Sequence, residues 1–281
     1  AVTLPFDVGA VTGRGPARLR RICTDVGQAL GYGRLARLQE RLAATIHEQG
    51  FDLLYAHHDM VETAPSLLRL VRLPSVYFCQ EPCRAVFEAP LAAEGHPPPP
   101  GGRFPKMLAR TCLGNPTGEA LIRFRRVNER VNTLAATMVL ANSTYSCESI
   151  LRAHGCVARR CTLGVDADFF CPAAEPREDF VLSVGGFYGV KGFRFIIRAL
   201  GRLPADRRPP LVLAGDRECP GEAEYLHALA REHGVELTTH LNVTDETLRS
   251  LYRRTRLFLY APYIEPLGLT PILHRTLDYD I

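Results

Sequence analysis

Short runs, most of them continuously apolar, recur along the chain, each followed by a longer amphipathic stretch, and this alternation constrains the fold more than any other feature. The runs lie at 52–56 (DLLYA), 75–79 (SVYFC), 138–141 (MVLA), 180–184 (FVLSV), 211–214 (LVLA), 235–239 and 257–261 (LFLYA). Continuous apolar strands suit a parallel sheet covered on both faces, whose crossovers need helices. Helical stretches fall between them at 33–48, 63–72, 118–136, 143–154, 191–202, 221–233 and 245–254. Ser143 and Thr244 stand where an N-cap should be, and Asp245 and Glu246 favour the positive end of the helix that follows. The pattern predicts an α/β protein of parallel βα units.

Two stretches interrupt the rhythm. Residues 95–105 (GHPPPPGGRFP) cannot hold a helix or central strand, since proline lacks the amide and glycine costs entropy. They are expected to form an exposed loop within a domain, because βα units resume beyond them. Residues 163–178 (LGVDADFFCPAAEPRE) are loop-like and precede a strand that restarts the alternation. The 281 residues fit two domains, at about 100–200 residues each. The expected division is a domain over 1–162, a linker over 163–178 and a second domain over 179–281.

Charge and cysteine content narrow the function classes. The formal net charge is +4, but arginine is scattered rather than gathered on one segment, which argues against a nucleic-acid footprint. Among the 34 cationic side chains only Lys106 and Lys191 are lysines, so each stands out. The nine cysteines form no CxxC pair and none sits near a histidine at zinc-finger spacing. They read as small buried hydrophobes in a reducing cytoplasm, with no metal expected. No run approaches the roughly 18 apolar residues of a membrane span. The first residue is Ala rather than Met and no signal-peptide pattern follows, so the chain reads as a fragment.

Three segments can carry chemistry. In 180–201 a strand ends at Gly185-Gly186, a short loop follows, and Lys191-Gly192 opens a helix. Glycine lets a phosphate approach the backbone, helix amides face it, and lysine adds charge; a plain tight turn with a solvated lysine is the alternative. The spacing is neither GxxxxGK[ST] nor GxGxxG. In 257–271 a strand runs into Glu265-Pro266-Leu267-Gly268-Leu269, where a helix should start with Pro266 in its first turn. Glu265 can accept from sugar hydroxyls while the amides of Leu267 to Leu269 hold phosphate, or it can simply favour the helix dipole. The third segment is His57-His58-Asp59 after DLLYA, with Gln80 and Glu81 ending the next strand on the same rim. His57 and Glu81 are candidates for an acid–base pair, or His57 is structural.

Taken together, these segments resemble a family-4 glycosyltransferase, a retaining enzyme of the GT-B fold. Val184-Gly185-Gly186 then Lys191-Gly192 is similar to the family's VGR, loop and KG. Asn142-Ser143 leading to Gly164-Val165-Asp166 and Phe169-Phe170, then Leu248-Arg249-Ser250-Leu251-Tyr252, and Glu265-Pro266-Leu267-Gly268-Leu269 follow in the family's order. The resemblance covers about residues 50–272. It implies two Rossmann-like parallel-sheet domains facing across a cleft, the N-terminal one for the acceptor and the C-terminal one for a UDP- or GDP-sugar. By resemblance Lys191, Gly185 and Gly186 meet the diphosphate, Glu265 the sugar, and the amides of Leu267, Gly268 and Leu269 the phosphates. His57 contacts the sugar, and Gln80 and Glu81 face a saccharide or lipid-linked acceptor. No cofactor is implied, since the nucleotide-sugar is a substrate; peripheral association with the inner membrane face is compatible.

Three departures bear on activity. The family's arginine after the VG pair is Gly186, its second glutamate is Leu273, and the tail after Ile272 (HRTLDYDI) no longer resembles it. Against the family the rest of that domain and an N-terminal glycine-rich strand–loop are missing, so both sheets are expected to be incomplete and the chain to be a truncated copy, frameshifted near 273. Two other classes compete with a transferase. A nucleotide-sugar epimerase or nucleotide-dependent oxidoreductase would share the scaffold, but GxGxxG is absent and the EPLGL stretch disfavours both. An inactive remnant or binding module is favoured by the departures.

Overall fold

The computed structural model describes residues 17–59, 61–87, 116–173 and 175–277. The proline-rich segment 95–105, Lys106 and the extreme tail lie outside these residues. The chain divides into two compact units, the first running to Thr162 and the second beginning at Leu163.

Unit 1 is built on α1 (Ala17–Gln49), β1 (Leu54–His57), α2 (Leu67–Leu70), β2 (Ser75–Phe78), α3 (Arg84–Phe87), α4 (Pro116–Ala135), β3 (Met138–Ala141), α5 (Thr144–His154) and β4 (Arg159–Arg160). The four strands are parallel, in the order β1-β2-β3-β4. Alternation sends Ala56, Tyr77, Cys79, Val139 and Ala141 to one face, where they pack with Leu68, Ile150 and Ala158. Ser143 caps α5 as expected, its side chain accepting from the Ser146 amide, and Gly155 ends it in the left-handed region.

Unit 2 comprises β5 (Glu178–Val184), α6 (Phe193–Gly201), β6 (Leu211–Gly215), α7 (Glu222–Glu232), β7 (Leu237–Leu241), α8 (Asp245–Arg254), β8 (Thr255–Phe258) and α9 (Leu269–Leu277). Its strands are again all parallel, ordered β7-β6-β5-β8. One face packs Val181, Leu211 and Leu213 against Phe193, Ile197 and Leu226 of α6 and α7. The other packs Phe180, Leu182 and Ala214 against Leu251 and Tyr252 of α8 and Leu277 of α9. Thr244 caps α8 by accepting from the Thr247 amide.

Several elements differ from the sequence reading. The helix expected over 33–48 begins at Ala17, the glycines at 27, 31 and 33 being carried within a 33-residue helix. The helix expected over 63–72 shrinks to Leu67–Leu70, since residues 61–66 form a loop tied to Asp59, whose Oδ1 accepts from the amides of Val61 and Glu62. The segment assigned as a linker is held against α8. Arg249 donates to the Phe169 carbonyl and stacks over its ring, and Arg253 donates to the Cys171 carbonyl. The tail beyond Ile272 continues α9 as far as Leu277, which is buried.

Candidate functional site

In unit 2 the chain leaves β5 toward β6 on one side and returns to β8 on the other, so the connections diverge between β5 and β8. At such a reversal an open parallel sheet leaves a crevice beyond the carboxyl ends of its strands. Both C-terminal-unit motifs singled out in the sequence end there.

β5 runs into Gly185-Gly186. The Gly185 amide donates to the Ala214 carbonyl at 2.9 Å, and a β-carbon on Gly215 would stand 2.3 Å from the Gly185 carbonyl oxygen. Only glycine fits at 215 for that reason. Phe187 then turns inward, fully buried, and the Tyr188 ring lies over Gly186. One 3₁₀ turn, Gly189–Lys191, leads into α6 through Gly192, whose φ is 76°. The loops after β5 and β8 are tied together by backbone. A β-carbon on Gly192 would lie 1.8 Å from the Ala261 carbonyl oxygen, and the Tyr263 amide donates to the Val190 carbonyl at 2.9 Å.

That lock brings Lys191 to Glu265: the ammonium donates to the carboxylate, Nζ to Oε2, at 2.5 Å. The two side chains are 27% and 23% exposed, so they lie partly in water rather than in the core. The lysine stem crosses Gly185, 3.4 Å from where its β-carbon would be. Tyr260 stands behind the pair, its ionisation pushed up by burial and then by the Glu265 charge. Its hydroxyl would meet a β-carbon on Gly268 at 3.2 Å.

Gly268 has φ 75°, and α9 starts only at Leu269. Pro266 is therefore not in the first turn of the helix, as its sequence position implied, but in the loop before it; the left-handed turn at Gly268 separates the two. Among the described residues the amides of Leu267, Gly268 and Leu269 make no hydrogen bond. Leu273, one turn into α9, packs on the core with Phe170, Leu251 and Tyr252. The position serves packing here. Lys191, Gly185, Gly186, Glu265 and the 267–269 amides thus share the ends of two neighbouring strands. The arrangement presents free donors and one mobile cation beside one carboxylate, a combination suited to a phosphate attached to a hydroxyl-bearing group.

In unit 1, His57 is the last residue of β1, exposed, with its ring edge-on to Tyr55 at 4.8 Å and to Phe78 at 5.8 Å. Gln80 is exposed on the adjacent strand end, since His57 pairs in register with Phe78. The acid–base pairing of His57 with Glu81 does not form. Arg84, one turn further on, holds the Glu81 carboxylate at 2.6 Å, a stronger partner than an imidazole. The loop after His57 is rigidly built: Tyr32, Tyr77 and Asn132 donate to the carbonyls of Val61, Thr63 and Ala64. Thr63 holds φ 67°, a costly value for a β-branched residue.

Sequence reasoning missed Tyr188 and Tyr260, because nothing in a one-dimensional pattern says which ring lies over which glycine. It also missed the buried pairs Arg194–Glu222 and His154–Glu129, which join helices rather than strand ends. Among the described residues no three His, Cys, Asp or Glu side chains gather where a metal ion could sit. No helix among them is long and apolar enough to cross a membrane.

Residues 166–272 match the family model described as Glycosyl transferases group 1. No curated protein sequence matches the chain. Among solved structures, sucrose-phosphate synthase from Thermosynechococcus elongatus superposes with a TM-score of 0.63 at 18% identity, over 85% of this chain and 57% of that one. Anabaena HepE, in complex with UDP and glucose, gives 0.61 at 19% identity, over 87% and 61%. WaaG, a glycosyltransferase involved in lipopolysaccharide biosynthesis, gives 0.56 at 16% identity, over 95% and 65%. The chain therefore spans about three fifths of the length of these neighbours. Its two parallel four-stranded sheets have the fold of GT-B glycosyltransferases, and its segment 166–272 matches the group 1 glycosyl transferase family.

Proposed function

We propose that this chain derives from a retaining, family-4-type glycosyltransferase that takes a sugar from a nucleotide-sugar and passes it to a saccharide or lipid-linked acceptor. The observation that carries this reading is the Lys191–Glu265 pair at the β5/β8 reversal, beside Gly185-Gly186 and the free amides of 267–269. A bound diphosphate offers Lys191 two negative charges in place of one carboxylate. Lys191 swings to the phosphates, and Glu265 is left facing the sugar hydroxyls as an acceptor. The bond from the anomeric carbon to the diphosphate oxygen breaks while the acceptor hydroxyl oxygen bonds to that carbon, and the hydroxyl proton passes to the departing diphosphate. Charge growing on the departing diphosphate is what Lys191 and the amides stabilise. His57 is the sugar contact this reading assigns to unit 1, with Gln80 and Glu81 on the acceptor side.

A second reading, a binding module without turnover, is favoured by two observations: Gly186 offers no cation, and Leu273 is packed into the core. Calorimetry of the chain with UDP-, GDP- and ADP-sugars, followed by assay of sugar release and transfer, separates the two. Binding and turnover that Lys191→Ala removes support the transferase. Binding without turnover supports the module. No binding of any nucleotide-sugar by the folded chain overturns both.

A further inference from the structure

The di-glycine after β5 is flanked by the Lys191 side chain and by the backbone of Arg217. On one side lies the Lys191 stem, over Gly185. On the other is the turn after β6, where the Phe187 amide donates to the Arg217 carbonyl at 2.7 Å. A β-carbon on Gly186 would stand 3.6 Å from that same carbonyl oxygen. Position 186 supplies no charge of its own, and it has no room for a side chain while Tyr188 stays in place: the ring would be 2.5 Å from a β-carbon there. The Arg217 side chain is 68% exposed, and its ion-pair partner among the described residues is its own neighbour Asp216, 3.5 Å away and 76% exposed. So exposed a pair contributes next to nothing and leaves the guanidinium available to a better anion.

We propose that Arg217 is the second cation of the donor site, reaching the diphosphate of a nucleoside diphosphate from the end of β6, where position 186 cannot. A guanidinium suits the role because its fork of donors matches phosphate oxygens two at a time. The anion is then held from both sides of the glycines, by Lys191 near β8 and by Arg217 at β6. The ligand class that follows is one with two linked phosphates; a nucleoside monophosphate engages one cation and gains less. Asp216 acts against binding, as both a competing partner and a like charge.

This inference rests on the nucleotide-sugar reading, and the test separates the two. Affinities of the full chain for UDP, GDP, ADP, the matching monophosphates and inorganic pyrophosphate are measured by calorimetry, with a thermal melt of each variant. Arg217→Ala is expected to weaken the best diphosphate at least about tenfold, the scale of one charge-assisted contact. It should change the monophosphate less. Arg217→Lys should keep part of the affinity, and Asp216→Ala should tighten binding. Unchanged diphosphate affinity in Arg217→Ala, with Lys191→Ala still weakening binding, overturns the role of Arg217 and leaves the transferase reading standing. A lowered melting temperature in Arg217→Ala, with Asp216→Ala no tighter than the parent, assigns Arg217 to folding and also overturns it. If the unaltered chain binds no diphosphate, both readings fall.

Discussion

Gly192 lies so close to Ala261 that a β-carbon on it would stand 1.8 Å from the Ala261 carbonyl oxygen. The contact fastens the loop after β5 to the loop after β8, and it is why Lys191 and Glu265, 74 residues apart, meet at 2.5 Å. Glycine is required twice over at this point, for its φ of 76° and for the missing side chain.

Gly192→Ala should therefore do more than strain one residue. The left-handed conformation alone costs about 1 kcal/mol, and relieving the clash means moving backbone. A loss above about 2 kcal/mol is expected in urea unfolding, together with loss of nucleotide binding. Gly221→Ala is the control: its φ is 81° but nothing lies within 4 Å, so only the conformational cost should appear. Equal losses at the two sites would mean the contact with Ala261 is not what holds the loops together.

Lys191→Ala and Glu265→Gln should part company. Both side chains are about a quarter exposed, so breaking the pair should cost about 0–1 kcal/mol of stability. Lys191→Ala should weaken nucleoside diphosphate binding by roughly tenfold or more. Glu265→Gln frees the lysine and removes a negative charge, so diphosphate binding should hold or tighten while sugar transfer falls. Equal loss of diphosphate binding in both variants would contradict the division of roles.

Position 186 offers a coupling measurement. Gly186→Ala pushes on the Tyr188 ring, a side chain 37% exposed and able to swing outward, so a cost of about 1 kcal/mol is expected. On a Tyr188→Ala background the same change should cost close to nothing. A double-mutant cycle in chemical denaturation reads the difference, and a coupling near zero would show that Tyr188 does not rest on Gly186.

The strand-end motifs were legible in the sequence because each is local. VGG with KG, and EPLGL, announce a strand followed by a turn into a helix, and the repeated βα rhythm implies that both end on the same rim. The ion pair between Lys191 and Glu265 was not legible, since it depends on Gly192 meeting Ala261, a contact between backbones far apart in sequence. Pro266 misled for a related reason: proline suits a first helical turn, but the left-handed Gly268 two residues later delays α9 to Leu269. The pairing of Glu81 with Arg84 is local, at i and i+3, and was open to prediction. The long α1 was read only from residue 33; the helix penalty of its glycines is outweighed by the rest of a 33-residue segment.

Thiol chemistry tests the core of unit 1. Cys79 is fully buried between the sheet and its helices, and burial pushes its thiol up from 9.0 to about 12. At pH 8 the thiolate, the reactive form, is then only about one part in ten thousand of Cys79. Cys161 and Cys219 are exposed. Brief treatment with iodoacetamide, read by peptide mass spectrometry, should label Cys161 and Cys219 and spare Cys79 until the chain is unfolded. The same shift has a pH consequence whose sign follows from linkage. The folded state resists losing the Cys79 proton, so unfolding becomes easier as pH climbs from about 9 toward 12, by up to about 1.4 kcal/mol per pH unit. Below pH 9 that contribution is fully present. Tyr77, likewise raised by burial, acts in the same direction. Cys79→Ala should flatten the alkaline fall in stability relative to the parent. Rapid labelling of Cys79 in the folded chain, or an unchanged alkaline slope in the variant, would show that this residue is not sealed in the β2–β3 core.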